Sequence, residues 1–181
     1  MENTILGIST NAKIRGLLLF NHLLAGYILY TAFSWNMLLV SYILGFILGG
    51  IGISVGYHRY FCHRSFKTNK FFEYLLLSVG HYCSLGSAIT WAGIHREHHD
   101  TSDTEKDPHS PKYNGILRTL VHIWKRYDIK PKYVKDLLKI DKLKKQHRYY
   151  FITLFIIDKL VLNFLEVSII ALVSFGKHEP P

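Results

Sequence analysis

The segments His58-Arg59-Tyr60-Phe61-Cys62-His63 and His95-Arg96-Glu97-His98-His99, called the first and second boxes below, decide how this chain is organised. Imidazole stays neutral near pH 7 and still offers a lone pair to a transition metal. On a helix, the three histidines of the second box stand at i, i+3 and i+4 and project from one face. The sequence therefore predicts five metal ligands: His58, His63, His95, His98 and His99.

The two histidines of the first box are five residues apart, and on an α-helix they would not share a face. At about 100° per residue they diverge by about 140°, with an offset of about 7.5 Å along the axis. This spacing suits ligands of two neighbouring metals better than two ligands of one. Taken alone, the first box is also typical of a structural histidine pair. Three histidines crowded on one face have little structural use without a metal, so the two boxes together favour metal binding.

Composition and charge indicate a membrane protein. The chain has 181 residues, 49% of them hydrophobic, and combines a positive mean hydropathy of +0.10 with a formal net charge of +9. No Asp, Glu, Lys or Arg lies between Arg15 and Arg59, whereas 18 of the 22 Lys and Arg residues lie from Arg59 to Arg148. This segregation predicts an integral membrane protein with one strongly basic face.

The predicted fold is all-α, a single domain over residues 1–181 with two to three full spans. Gly16–Phe33 is the first predicted span, retained as a signal anchor after a short polar tail. A tight turn at Ser34–Asn36 leads into a second span, Met37–Tyr57, which ends directly before the first box. A third span is expected at Tyr149–Phe175, although charged residues, which are costly at membrane depth, lie within it: Asp158, Lys159 and Glu166.

The second predicted span is rich in glycine, and some of these glycines have GxxxG spacing: Gly45, Gly49, Gly50, Gly52 and Gly56. Glycines at this spacing allow two helix backbones to approach closely. We therefore expect this helix to pack directly against another helix.

The segment Phe71–Ile94 connects the two boxes, and a single membrane crossing would place them on opposite sides. We therefore predict a re-entrant or interfacial helical pair that is broken near Gly80–Gly86 and keeps both boxes on the cytosolic face. His81 falls in this bend and is interpreted mainly as a helix-packing residue.

Polar residues follow the second box in the loop Asp100–Pro111. Carboxylates often hydrogen-bond the second nitrogen of a ligand histidine, which makes Asp103, Asp107 and His109 candidates for this role. A solvated turn is the competing interpretation for Asp100, Asp103 and Glu105. Cys62 adjoins His63 as either a thiolate ligand or a small buried residue, and the second interpretation is favoured. With Cys83 as the only other cysteine, no disulfide framework is indicated.

Residues 115–148 carry eleven basic side chains among short apolar stretches. Val134, Leu137 and Leu138 stand at i, i+3 and i+4, which is typical of a helix lying on a membrane surface. The positive charge is explained either by attraction to anionic lipid or by docking of an acidic redox partner. Nucleic acid is excluded as a partner because the basic stretch is tied to the membrane.

Taken together, these motifs resemble the membrane fatty acyl desaturases, especially bacterial members, over residues 49–150. His58–Phe66 is similar to the first histidine box of that family, and Trp91–His99 is similar to the second. Ser102–Ser110 resembles the loop that follows. The resemblance also makes Trp91 a candidate contact for the substrate.

The resemblance implies an oxidoreductase with two iron ions per complete site and its histidines at the cytosolic face of a bacterial inner membrane or an ER-like membrane. It implies an acyl-CoA or acyl-lipid substrate, O₂, and two electrons from a ferredoxin or a cytochrome b5. Cleavage of an unactivated C–H bond independently requires a cofactor, since no side chain is sufficiently oxidising.

Two departures from the family pattern leave alternatives open. The family has a third HxxHH box and a fourth span that are absent from this sequence, so we expect a chain shortened before its last ligands, with a separate C-terminal fragment as one source for them. Gly93-Ile94 stands where animal acyl-CoA desaturases commonly have Arg-Asp, which leaves the substrate head group undecided. A hydroxylase on the same boxes and a non-catalytic membrane remnant or partner subunit are the rival functions.

Overall fold

The computed structural model describes residues 10–31, 33–116, 128–154 and 156, and every regular element within these ranges is helical. The predicted all-α class is therefore confirmed for the described part of the chain.

Helix α1 covers Thr10–Thr31, and helix α2 covers Trp35–Leu48. The first helix begins earlier than the predicted Gly16, because Ala, Lys and Arg in the polar segment before it are good helix formers. Ser34 caps α2, and its hydroxyl oxygen accepts a hydrogen bond from the Met37 N–H at 3.1 Å.

Helix α2 continues without a break into a π-helix, π1, over Gly49–Cys62. The second helix therefore ends at Cys62, five residues beyond the predicted Tyr57, so His58 lies inside the helix. The combined helix Trp35–Cys62 has 28 residues and is the one helix in the described ranges that is long and apolar enough to cross a membrane. Within the described part of the chain, only 6% of its most apolar window is buried.

The segment between the boxes forms two helices, α3 at Lys70–Tyr82 and α4 at Ala88–Thr101. Asn69 and Ser87 cap them through their side-chain oxygens. The predicted helical pair and its break are thereby observed, and the turn between the helices includes Gly86 at φ +92°. His81 is buried in the last helical turn of α3, and it therefore precedes the connection between the two helices, where it was predicted to lie.

After α4 the chain forms the short helix α5, Pro111–Asn114, and later two 3₁₀ turns, Pro131–Tyr133 and Leu137–Lys139. A further helix, α6, begins at residue 141 and is described to residue 154. Most of the predicted third span, including its three charged residues, lies outside the described residues.

The predicted surface helix around Val134 is wrong. Val134 and Leu137 are buried in the core at 3% and 0% exposure, and Leu138 is exposed. Gly93 of α4 makes room for this packing, because a Cβ atom there would lie 3.0 Å from Val134 Cγ1 and 2.4 Å from Ile129 Cγ2. The segment therefore packs across α4.

Helix π1 packs tightly on α3, as the glycine spacing predicted. A Cβ atom at Gly52 would lie 2.8 Å from backbone atoms of Val79 and Gly80, and one at Gly56 would lie 3.0 Å from the Leu76 carbonyl oxygen. By contrast, no atom of the described residues lies within 4 Å of such a Cβ atom at the three glycines nearer the start of the helix, Gly45, Gly49 and Gly50. The hydrophobic core is formed by π1, α3, α4, the segment that precedes α6, and α6 itself. Its buried residues are Tyr57, Tyr60, Phe61, Cys62, Leu76, Leu77, Ala88, Ile89, Ala92, Val134, Leu137 and Leu143.

Candidate metal centre

The two histidines of the first box lie close together, contrary to the 140° divergence expected for an α-helix. Their ring centroids are 4.6 Å apart, and the His63 N–H donates to the His58 carbonyl oxygen at 3.0 Å. This i→i+5 hydrogen bond is the pattern of a π-helix. Residues five apart in a π-helix are separated by about one helical turn, so their side chains face nearly the same side. The helix type therefore brings the two side chains to one place.

Helix α4 brings the second box against this pair. His95 lies with its ring centroid 4.6 Å from that of His58, and 4.6 Å from that of His99 one turn along the same helix. The candidate ligand atoms of His58, His63, His95 and His99 all lie within 4.8 Å of one another. Four of the five predicted ligands thus form one cluster, called the four-histidine cluster below.

The donor set of this cluster fits a transition metal. His95 Nε2 lies 3.2 Å from His63 Nε2 and 3.0 Å from His99 Nε2. Each neutral imidazole nitrogen carries either one N–H or one lone pair, so His95 Nε2 can complete only one of these contacts as a well-formed hydrogen bond. Lone pairs that converge on a shared cation avoid this conflict, and imidazole is a good ligand for iron, zinc, copper and nickel.

The environment of the cluster keeps two of its imidazoles, those of His63 and His95, in the neutral form that binds metals. Burial, together with the neighbouring imidazoles of His58, His99, His63 and His98, lowers the pKa of His95 to about 3. Burial, the imidazoles of His58 and His99, and the Arg96 guanidinium lower the pKa of His63. At neutral pH both rings are therefore uncharged, and their lone pairs are available.

The fifth predicted ligand, His98, projects from α4 toward the loop after it. His98 Nδ1 donates to Asp107 Oδ1 at 2.8 Å, which directs its other ring nitrogen away from the carboxylate. Burial of Asp107 opposes ionisation, but hydrogen bonds from His98 and from the backbone N–H groups of His109 and Asp103 outweigh it and lower the pKa of Asp107. A buried carboxylate thus orients this imidazole.

The three loop candidates occupy different positions around His98. Asp107 contacts its ring directly. His109 donates its backbone N–H to Asp107 Oδ1 at 2.8 Å and holds its own ring 5.4 Å from that of His98, centroid to centroid. Asp103 donates its backbone N–H to Asp107 Oδ2 at 3.3 Å and is itself exposed. Asp100 is engaged elsewhere, by Lys132 Nζ and the Tyr133 hydroxyl.

Trp91 and Cys62 border the cluster in different ways. The Trp91 indole stacks on the His95 ring, with centroids 4.7 Å apart and planes 25° apart. It also forms a T-shaped pair with the His58 ring, with centroids 5.8 Å apart. The Cys62 sulfur is buried and lies 3.8 Å from the Ala92 carbonyl oxygen, so it does not join the imidazole nitrogens.

Arg96, for which the sequence predicted no role, connects the two boxes. Its Nη2 and Nε donate to the Cys62 carbonyl oxygen at 2.6 Å and 3.1 Å, and its Nη1 donates to Asp136 Oδ1 at 2.6 Å. Nη1 also donates to the Tyr133 carbonyl oxygen at 2.6 Å. The position of Arg96 next to His95 was visible in the sequence, but its partners 34 to 40 residues away were not.

A second unforeseen contact network surrounds Gln146 on α6. Its Oε1 accepts from the Ala88 N–H at 3.0 Å, and its Nε2 lies 2.8 Å from the Tyr57 hydroxyl and 3.2 Å from His81 Nδ1. The next residue of α6, His147, places its Nδ1 atom 2.7 Å from the Ser87 hydroxyl. These contacts fasten α6 to the helices that carry the boxes.

The described architecture is that of a helical protein with a histidine-lined candidate metal centre at the end of a long apolar helix. The family model for fatty acid desaturases matches residues 16–176. The chain therefore belongs to the fatty acid desaturase family, which confirms the resemblance and extends it beyond residues 49–150. The family and the apolar helix together indicate association with a membrane.

Several characterised relatives align with the chain. It is 39% identical over 124 residues to delta-9 acyl-lipid desaturase 2 of Arabidopsis thaliana, covering 66% of this chain and 38% of that protein. It is 37% identical over 137 residues to sn-1 stearoyl-lipid 9-desaturase of Anabaena variabilis, covering 74% and 50%. It is 37% identical over 130 residues to the hex-5-enoyl-[acyl-carrier protein] acetylenase of Moorena producens, covering 64% and 40%.

The chain thus spans between 38% and 50% of the length of these relatives. No solved structure matches it.

Proposed function

We propose that this chain provides the first two ligand groups of a fatty acyl desaturase, an O₂-dependent oxidoreductase that introduces a double bond into an acyl chain. The observation that carries this proposal is the convergence of His58, His63, His95 and His99, from two boxes far apart in sequence, at one site within a chain of the desaturase family.

In this proposal the four-histidine cluster and His98 hold the iron, two ions in the complete centre. Bound iron would supply the O₂ activation and the oxidising power that amino-acid side chains lack. Asp107 holds His98 in one tautomer and one orientation. Trp91 covers one face of His95, so that it restricts the entry of water on that side and offers an apolar contact to the substrate.

The complete reaction would remove one hydrogen from each of two adjacent carbons of the acyl chain. O₂ would be reduced to two molecules of water, with two electrons from the C–H bonds and two electrons and two protons supplied from outside. The outside electrons require a donor protein of the ferredoxin or cytochrome b5 type. The five box histidines are fewer than the ligands that the family pattern implies for two irons, so we propose that further residues, from a separate fragment or another segment, complete the centre.

The substrate is proposed to be an acyl chain on a membrane lipid, as in the names of the plant and cyanobacterial relatives, with acyl-CoA as the alternative carrier. The apolar helix Trp35–Cys62 carries most of the first box at its C-terminal end, so an acyl chain dissolved in the bilayer would arrive at the imidazoles. The basic residues that follow the boxes support a cytosolic location for the site, by the positive-inside rule.

Iron binding by the purified chain tests this proposal. The full chain in detergent would be loaded anaerobically with Fe²⁺ and freed of excess metal, and its bound iron would be measured. We expect His95→Ala to lose most of the bound iron, whereas His22→Ala, on α1 and outside the cluster, should retain the parental amount. Equal iron in His95→Ala and the parent would refute the metal centre.

Product analysis distinguishes the desaturase from its rivals. Cells or membranes that contain the chain, together with acyl-lipid, an electron donor and any completing fragment, would be analysed for new alkenes and new alcohols. An alkene that depends on His95 supports desaturation, an alcohol supports a hydroxylase, and neither product supports a non-catalytic subunit. The 181-residue chain alone is expected to give no product.

A further inference from the structure

We infer that Arg96 is a positioning residue that, through Asp136 and the end of the first-box helix, sets the placement of His63 relative to His95. This inference rests on the proposed function, because the geometry that it sets is that of the candidate metal centre.

The guanidinium of Arg96 lies where three segments of the chain meet. It stands on α4 next to His95, donates to the carbonyl oxygen of Cys62 immediately before His63, and donates to the Tyr133 carbonyl oxygen of the 3₁₀ turn. Its ion pair with Asp136 closes the arrangement at 2.6 Å and 3.1 Å, one distance for each carboxylate oxygen. This side chain of the second box therefore contacts the first box and also the segment that contains Tyr133 and Asp136.

The end of π1 needs such a partner. The last carbonyl groups of a helix have no N–H partners within the helix and carry the negative end of its dipole. A guanidinium satisfies these carbonyls by hydrogen bonding and by charge. Because the Cys62 carbonyl is only one peptide unit from His63, its position limits where the His63 side chain can lie.

The forked geometry of the guanidinium is essential to this role. Arg presents several N–H groups in a rigid plane, so it can bind a carbonyl oxygen on one side and a carboxylate on another. A Lys ammonium at the same position keeps the charge but is a point donor on a flexible stem. Asp136 also lies 3.5 Å from Arg64, just after the first box, so the carboxylate holds both arginines.

The structure also provides a matched control. Asp100 on α4 pairs with Lys132 at 2.9 Å and with the Tyr133 hydroxyl at 2.6 Å. This pair joins α4 to the 3₁₀ turn Pro131–Tyr133, and among the described residues its hydrogen bonds do not reach the first box. Asp100→Asn therefore removes the charge of a comparable ion pair without touching the Cys62 carbonyl.

The experiment compares Arg96→Lys, Asp136→Asn and Asp100→Asn with the parent, using full chains in detergent. Co²⁺ alone is titrated, and its visible absorption reports both affinity and ligand geometry. Amide hydrogen exchange of the peptide covering residues 58–66 is measured on the metal-free proteins. Thermal unfolding identifies any variant that fails to fold.

We expect Arg96→Lys to weaken Co²⁺ binding by about tenfold or more, the range for residues that orient ligands, with a shifted absorption band and faster exchange at residues 58–66. Asp136→Asn should show the same changes to a smaller degree, and Asp100→Asn should match the parent in all three. Parental affinity, spectrum and exchange in folded Arg96→Lys would overturn the inference, as would equal changes in Asp100→Asn.

Failure of the proposed metal centre would look different. If the parent and His95→Ala bind Co²⁺ equally, the metal proposal fails, and hydrogen exchange alone decides the role of Arg96. Faster exchange restricted to the Arg96 and Asp136 variants would then still support positioning of the first box, and unchanged exchange would overturn it.

Discussion

Gln146 Nε2 donates a hydrogen bond of 2.8 Å to the Tyr57 hydroxyl, which joins two residues 89 positions apart. Tyr57 is fully buried and directly precedes the first box. The Oε1 atom of the same side chain accepts a hydrogen bond from the Ala88 N–H at the start of α4. A single polar side chain on α6 thus contacts both the residue that precedes the first box and the first residue of α4.

Replacing Gln146 should therefore destabilise the protein. Gln146→Leu leaves the Ala88 N–H and the Tyr57 hydroxyl without this partner, and each unsatisfied buried group costs about 1–3 kcal/mol. We expect a clearly lower thermal unfolding temperature in detergent. Lys145→Ala, on the exposed neighbouring position, should change stability by less than about 0.5 kcal/mol. Equal unfolding temperatures for Gln146→Leu and Lys145→Ala would contradict this prediction.

The glycines of the long helix should respond very differently to the same substitution. Gly52→Ala places a methyl group 2.8 Å from the backbone of α3, so the two helices must separate. Overpacking of this kind costs about 1–3 kcal/mol. The new methyl group of Gly45→Ala meets no atom within 4 Å in the part of the chain that the structure describes. Because Ala is the best helix former and Gly a poor one, the stability of this variant should be unchanged or higher.

Thermal unfolding of the two variants in the same detergent checks this pair. The reverse order of stability would show that Gly52 does not pack against α3 as described.

Asp107 should tune metal binding without being a ligand. Asp107→Asn keeps the side-chain shape but removes the negative charge that holds the His98 N–H, so Fe²⁺ affinity should fall by about tenfold or more. Asp103→Asn is the matched control, because Asp103 has φ 61° and Asn is among the residues that tolerate this conformation. Anaerobic metal titration measures both. An Asp107→Asn variant with the affinity of Asp103→Asn would exclude this role.

Both ends of the segment between the boxes should be accessible from one side of the membrane. Single cysteines at Lys67 and Thr101 are expected to react with an impermeant maleimide from the cytosolic side, and one at Trp35 from the opposite side. The native Cys62 and Cys83 would be replaced by serine in the labelling background. Labelling of positions 67 and 101 from opposite sides would contradict the prediction that α3 and α4 return the chain to the same face of the membrane.

Much of the candidate site was predictable from the sequence because its signals are local. The spacing in His95-Arg96-Glu97-His98-His99 places imidazoles on one helical face whatever the rest of the chain does. The glycine spacing at Gly52 and Gly56 likewise predicted a close helix contact, and residues 83–87 break the helical pair near the expected position. Helical periodicity and glycine spacing operate within a few residues, so they can be read without a tertiary structure.

Only the tertiary structure decided how the two boxes meet. The side chains of His58 and His63 diverge on an α-helix and lie together on the π-helix that the structure shows, where π1 packs against α3 and α4. The buried position of Val134 depends on the missing side chain of Gly93, which is 41 positions earlier in the chain.

The sequence by itself determined the family, the all-helical class and the residue types that can bind a metal. The tertiary structure decided which histidines share a site, that Asp107 orients His98, and that Arg96 and Gln146 connect distant segments. The physical reason is range: periodicity constrains neighbours along the chain, whereas a hydrogen bond between residues 34 or 89 positions apart exists only after the helices have packed.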